Sequence, residues 1–249
     1  MARRPVLEFW YEFASTYSYL AAMRIEGRAE AAGVEVRWRP FLLGPIFAAQ
    51  GWASSPFNLY PAKGRYMWRD MEREAARLGL PCRRPDPFPQ NALVAARVAL
   101  YGADQGWTPA FSREVYALEF GEGRSIAEPA AVAGILTRLG HDGPAILRAA
   151  QADANKTRLK AIGEEARSRG IFGAPTFFTE DGEMFWGNDR LDQALAWASG
   201  ERAGRGAQGY GLRAHPCPDK GRSSGSVAPT GPGLRGADRD TLVKPRKLH

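Results

Sequence analysis

The stretch Phe13-Ala14-Ser15-Thr16-Tyr17-Ser18-Tyr19 joins a β-rich segment to a helical one, and the fold is decided at that junction. Upstream of it, Val6-Leu7-Glu8-Phe9-Trp10-Tyr11-Glu12-Phe13 carries the aromatic and branched residues that favour a strand, with imperfect alternation. Downstream, Ser18 to Ala32 sets Leu20, Met23 and Ala31 among good helix formers, and Gly33 stops the helix. Val34 to Phe41 alternates apolar with polar residues and predicts a second strand. A right-handed crossover through the helix makes the two strands parallel.

Beyond this unit, residues 62–169 read as helical throughout. Met67, Met71, Ala75 and Leu78 fall on one helical face that ends at Gly79, and Val132, Ile135, Leu136 and Leu139 do the same before Gly140. Further helices are predicted over Asn91 to Tyr101, Pro109 to Phe120 and Ala154 to Arg169. After Gly173 the period returns to two. Thr176 to Thr179 and Met184 to Trp186 read as short strands around the turn Asp181-Gly182, and Leu191, Ala194, Leu195 and Ala198 share one face of a closing helix. The order is strand-helix-strand, a helical block, then strand-strand-helix. An α/β fold in which helices split one small sheet is the simplest architecture with that order.

The composition removes several function classes. A chain of 249 residues, 44% hydrophobic and 11% aromatic, can bury a sizeable core. No run of eighteen apolar residues is present, so no membrane partner is expected. Glu8 and Glu12 interrupt the apolar stretch a signal peptide needs, and a cytoplasmic protein is expected. Cys82 and Cys217 form no C-x-x-C pair, and His141, His215 and His249 are scattered, so neither a disulfide framework nor a metal site is expected. The formal net charge of +7 sits almost wholly in residues 200–249, which hold ten Lys and Arg against four Asp and Glu. That segment also holds ten glycines and five prolines, and reads as a disordered basic tail and an inert extension. No aromatic-basic pattern accompanies its charge, so no nucleic-acid partner is expected.

Two signals mark a site. Ser15 and Ser18 stand three apart where the first strand meets its helix, and open α/β sheets bind ligands at the carboxyl ends of strands. Serine is equally a favoured helix cap, so spacing alone leaves both readings open. The second signal is Gly173-Ala174-Pro175-Thr176, a proline directly before a strand, in a turn that can leave the backbone of residue 174 exposed.

Together these features resemble the thioredoxin-like fold with an all-helical insertion domain, as in the DsbA family. On that resemblance residues 5–60 and 170–199 form the two halves of the thioredoxin-like domain and residues 61–169 form the insertion. In that family the first turn carries a C-x-x-C pair facing a cis-proline. Ser15 and Ser18 stand at the cysteine spacing here, so no thiol is left for disulfide chemistry. The sequence is more specifically similar to the 2-hydroxychromene-2-carboxylate isomerases and kappa-class glutathione transferases. The similarity lies in the segments Phe13 to Ala21, Pro61 to Met67, Phe172 to Phe177 and Trp186 to Leu191.

The resemblance implies glutathione as cofactor, a small aromatic carboxylate as substrate and a homodimer. It implies that Ser15 holds the glutathione thiolate by a hydrogen bond and that Ala174, before Pro175, pairs through its backbone with the cysteinyl part. It assigns Asn188 and Asp189 to the γ-glutamyl end, with Arg190 beside them, and Lys63 to a loop reaching the site. Ser54 and Asn58 are both candidates for a further glutathione contact. Thr16 departs from the family, which has proline there. The implied activity is isomerisation by reversible thiolate addition to a conjugated double bond; a kappa-type transferase or peroxidase and a non-catalytic binding protein are the alternatives. Trp10, Tyr19, Phe47, Trp52, Phe57, Tyr66, Trp68 and Trp186 are the aromatic residues from which a substrate pocket can be drawn.

Overall fold

The structure is a computed structural model that describes residues 3–201. The tail expectation, apart from Gly200 and Glu201, and Cys217 therefore lie outside the described residues. Four strands form one mixed sheet in the order β2-β1-β3-β4. Strand β1 (Val6–Tyr11) pairs parallel with β2 (Glu35–Pro40), as the crossover requires, and antiparallel with β3 (Thr176–Thr179), which pairs antiparallel with β4 (Met184–Trp186). β1 is central and buried on both faces, which is why its alternation is imperfect. Leu7, Phe9 and Tyr11 enter the main core, whereas Trp10 packs on the other face with Phe41 and Phe178. There Arg39 lies 4.5 Å over the Trp10 ring.

The expected first helix is two helices, α1 (Thr16–Ala22) and α2 (Ile25–Ala31). The break falls at Met23-Arg24, where no glycine or proline stands. Arg24 leaves helical geometry, with φ −128° and ψ −13°, and its guanidinium reaches Asn188 far along the chain. A distant partner thus ends a helix that local propensity would continue.

Two further helices, α3 (Leu43–Ala49) and α4 (Pro56–Leu59), follow β2, in a stretch without a periodic pattern strong enough to place them. For α4 a signal was present, because Ser55 caps it and Pro56 occupies its first turn. The block between β2 and β3 continues with α5 (Pro61–Leu78), α6 (Leu93–Ala103), α7 (Thr108–Tyr116), a π-helical turn over Ala117–Gly121, α8 (Pro129–Arg138), α9 (Gly143–Ala150) and α10 (Asp153–Ser168). After β4 a short 3-10 turn over Asn188–Arg190 leads into α11 (Leu191–Ala198).

One hydrophobic core joins the sheet to the helical block. Leu7, Phe9 and Tyr11 of β1 share it with Met67 and Met71 of α5, Phe111 and Val115 of α7, and Ile135 of α8. The shared core fixes the end of β1 against the helices, and the space left between them is where a ligand can enter.

Candidate active site

β1 ends at Tyr11, and Glu12-Phe13-Ala14 carries the chain to Ser15, the N-cap of α1. The Ser15 hydroxyl does two things at once. Its oxygen accepts the Ser18 N–H at 3.3 Å, and it donates to the Ala174 carbonyl at 3.0 Å. Ser15 thus caps the helix, one of the two readings left open by the sequence, and the same hydroxyl faces the proline turn. Ser18 is fully buried, so only the first serine of the pair meets the cavity.

The Ala174-Pro175 peptide is cis. Among the described residues the Ala174 N–H has no backbone partner. Gly173, beside it, admits the Trp186 indole so closely that a Cβ there would lie 2.5 Å from its Nε1. The absence of a side chain at 173 is what lets Trp186 lie against the turn.

A cavity of about 620 Å³ opens against this turn, within the range of small-molecule sites. Its walls include six aromatic residues: Phe47, Trp52, Phe57, Phe88, Phe172 and Trp186. Phe172 and Trp186 face each other at 4.8 Å and are both exposed at the rim. Of the aromatic residues drawn from sequence, Phe47, Trp52, Phe57 and Trp186 line the cavity. Trp10 and Tyr19 are buried in the core instead, Tyr66 is exposed, and Trp68 packs edge-on to Phe88 at 4.9 Å.

Of the site candidates, Ser15, Ser54, Lys63 and Ala174 lie on this cavity. Lys63 stands in the first turn of α5, not on a loop, with Nζ 5.9 Å from the centre of the Phe57 ring. Asn58 donates to Ser54 Oγ at 3.3 Å and to the Phe88 carbonyl at 3.0 Å, and so ties the segment that carries Ser54 to the segment that carries Phe88. Asn58, Pro175, Asn188, Asp189 and Arg190 are not among the lining residues. Asn188 is buried, and its Oδ1 accepts Arg24 Nη2 at 3.0 Å and Nε at 3.3 Å. Asp189 is 72% exposed in its side chain and lies 3.7 Å from Arg190. Its Oδ1 folds back over Gly187, whose φ of 110° no side chain adopts easily.

The residue that sequence reasoning missed is Glu12. It lines the cavity yet is only 6% exposed. Its carboxylate accepts the Leu43 N–H at 2.7 Å and the Ala14 N–H at 3.4 Å, and so satisfies the first turn of α3, whose own cap residue Leu42 offers no side-chain bond. Burial pushes the Glu12 carboxyl up to about 7, against the pull of those N–H groups. The signal was available: an acid between Tyr11 and Phe13, in a run otherwise fit for burial. Phe88 was missed because nothing local ties it to the first turn, and Phe172, although it precedes the Gly173-Ala174-Pro175 turn, carries no local sign that its ring lines a cavity.

A second acid lies deeper. Glu119, in the π-helical turn, is fully buried, and neither carboxyl oxygen has a hydrogen-bond partner among the described residues. Burial, with the nearby Glu12 charge, raises its carboxyl well above the usual range and favours its protonated form.

The DsbA-like thioredoxin domain family matches residues 6–196. The chain belongs to that family. Within this DsbA-like group it is similar to 2-hydroxychromene-2-carboxylate isomerase from Sphingobium xenophagum, 30% identical over 187 residues that cover 75% of this chain and 94% of that protein. It is also similar to glutathione S-transferase kappa 1 from Homo sapiens, 26% identical over 209 residues that cover 79% of this chain and 91% of that one. The solved structure of a 2-hydroxychromene-2-carboxylate isomerase superposes with a TM-score of 0.69 at 29% identity, covering 79% of this chain and 95% of the other. The DsbA-like fold and the likeness to isomerases and kappa-class transferases are those that the four segments implied. No helix among the described residues is long and apolar enough to cross a membrane.

Proposed function

We propose that the protein is a glutathione-dependent isomerase of 2-hydroxychromene-2-carboxylate or a closely similar aromatic 2-oxo acid. One observation carries the reading. A hydroxyl stands at the turn where DsbA-like relatives carry a cysteine, and it faces the Ala174 carbonyl at 3.0 Å on a cavity walled by aromatic rings. The residues fit the tripeptide thiol. Ser15 offers a donor at the start of α1, and Ala174 offers an unpaired N–H and a carbonyl, as an added strand would use. Glutathione supplies a thiolate that adds reversibly to a conjugated double bond, so that the bond rotates as a single bond before the thiolate leaves.

In this reading Ser15 holds the sulfur as an anion, aided by the N–H groups of the first helical turn. Ala174 fixes the peptide backbone. Asn188, Asp189 and Arg190 hold the γ-glutamyl end, a role in which the Arg24 bonds to Asn188 set the shape of the turn. Ser54 or Asn58 makes a further contact. Lys63 answers the substrate carboxylate, and the aromatic walls exclude water from a flat ring. A reducing compartment such as the cytoplasm keeps the thiol available. A homodimer is part of the same reading.

The similarity to a kappa-class transferase favours a second reading, in which the same thiolate attacks an electrophile and stays attached to it. Calorimetric titration with glutathione, followed by a spectral assay with the chromene acid, tests both. Isomerisation with glutathione recovered unchanged supports the first. A persistent conjugate supports the second, and no heat on titration removes both.

A further inference from the structure

The substrate class named above carries a chemical demand that a bound thiol does not meet. A 2-hydroxychromene-2-carboxylate is a cyclic hemiketal. Its double bond can rotate to the other isomer only after the ring has opened, and opening moves a proton from the hemiketal hydroxyl to the phenolic oxygen. A group that can both take and return that proton has to face the substrate.

Of the cavity-lining residues, Glu12 is the one acid and Lys63 the one base. The lysine ammonium offers donors only. The Ser15 hydroxyl has one proton to give and its oxygen already accepts the Ser18 N–H, so it is no store for an added proton. Glu12 is placed differently. Its Oε2 takes the short 2.7 Å bond from Leu43, whereas its Oε1 takes only a long 3.4 Å bond from Ala14 and keeps lone-pair capacity. It lies three residues before Ser15 on the turn that ends β1, so a substrate seated beside the Ser15 hydroxyl is also near the carboxylate.

We infer that Glu12 is the acid–base residue of ring opening, a role that rests on the isomerase reading of the cavity. The Glu12 carboxylate accepts the hemiketal proton. The freed electron pair forms the C2 carbonyl, and the bond from C2 to the ring oxygen breaks with its electrons on that oxygen. The Glu12 carboxyl then returns the proton to the phenolate. Nothing is oxidised or reduced, no thiol takes part, and Glu12 ends as it began.

The surroundings suit a group that must exist in both forms near neutrality. The Leu43 and Ala14 N–H groups favour the anion. Burial favours the acid, and the carboxyl is pushed up to about 7. Behind it lie Glu119 and the Tyr11 and Tyr116 hydroxyls. Burial raises all three and favours their neutral forms, with Tyr11 bonded to Ser112 at 2.8 Å and Tyr116 donating to the Glu12 backbone carbonyl at 2.9 Å.

Because ring opening needs no thiol, it can be measured alone. Saturation-transfer NMR on 2-hydroxychromene-2-carboxylate, with the wild-type protein and without glutathione, reads the exchange between hemiketal and open-chain keto acid. The wild type is expected to speed this exchange over buffer, with a pH limb near 7. Glu12→Gln keeps an acceptor for Leu43, and is expected to retain glutathione affinity while losing about 10²-fold or more of the acceleration. Equal exchange in wild type and Glu12→Gln overturns the assignment. So does a wild type that isomerises with glutathione yet exchanges no faster than buffer, an outcome that leaves the functional reading standing. If the wild type does not isomerise the chromene acid with glutathione, that reading falls and the Glu12 role falls with it. Should Glu12→Gln fail to fold, the wild-type profile decides, and a flat exchange rate between about pH 5.5 and 8.5 overturns the assignment.

Discussion

Ser15 and Ala174 are 159 positions apart in the chain and are joined by one hydrogen bond, from the Ser15 hydroxyl to the Ala174 carbonyl at 3.0 Å. A hydroxyl has one proton to give. It cannot hold that carbonyl and a thiolate together, so turning toward a sulfur frees the Ala174 carbonyl for a peptide N–H. The two contacts that a cysteinyl residue needs are released by the same rotation.

Replacing Ser15 with alanine therefore has two separable effects. Loss of the cap to Ser18 is expected to cost about 1 kcal/mol of stability, read by denaturant unfolding. Loss of the donor to sulfur is expected to destabilise the thiolate by about 1.5–3 kcal/mol, or about one to two pKa units of bound glutathione. Thiolate absorbance titrated in wild type and variant reads the second effect. Coincident titration curves reduce Ser15 to a cap.

Asp189→Ala is expected to weaken glutathione binding only modestly, because the carboxylate is 72% exposed and water screens it. An effect of about 0.5–1 kcal/mol, roughly two- to fivefold in calorimetric affinity, fits an exposed ion pair with the γ-glutamyl ammonium. An unchanged affinity takes Asp189 out of the binding site.

Glu119 makes stability depend on pH with a definite sign. Its folded-state carboxyl is raised, so the folded chain keeps a proton that the unfolded chain has released. The associated stability is complete below the usual carboxylate range and is lost as pH rises from there toward the folded-state value, by at most about 1.4 kcal/mol per pH unit. Glu12 adds a loss of the same sign up to about pH 7 in both proteins. Glu119→Gln has no such proton to keep, so its stability relative to wild type should grow as pH rises above about 5 in urea titrations. A difference that stays constant with pH shows that Glu119 is not a buried neutral acid.

Gly173→Ala puts a methyl group 2.5 Å from the Trp186 indole nitrogen. Trp186 is half exposed and can swing outward, so the stability cost should stay near about 1 kcal/mol, the low end for overpacking. The cavity wall moves with the ring. KM for the aromatic substrate is therefore expected to rise more than kcat falls, and unchanged kinetics place the substrate away from Trp186.

Much of the architecture was legible because it is written in short windows. Thr176–Thr179 and Met184–Trp186 form the strands read from their period-two pattern, and Met67, Met71 and Ala75 are buried on one face of α5 as their spacing required. Ser15, Lys63 and Ala174, singled out through the family resemblance, lie on one cavity. The break at Arg24 and the helix α3 were not legible, because each depends on a partner supplied from elsewhere: Asn188 in one case and the Glu12 carboxylate in the other.

The sequence by itself determined the strand-helix-strand, helical block, strand-strand-helix order and the serines at positions 15 and 18, since side-chain period and residue identity are local properties. Only the tertiary structure decided that the Ser15 hydroxyl is shared with Ala174, that Asn188 is held by Arg24, and that Glu12 is tucked beneath Leu43 on the cavity. Those bonds span 159, 164 and 31 positions. Their geometry is set by how the sheet, the first helices and the inserted helices pack around one core, and no short window of residues contains that packing.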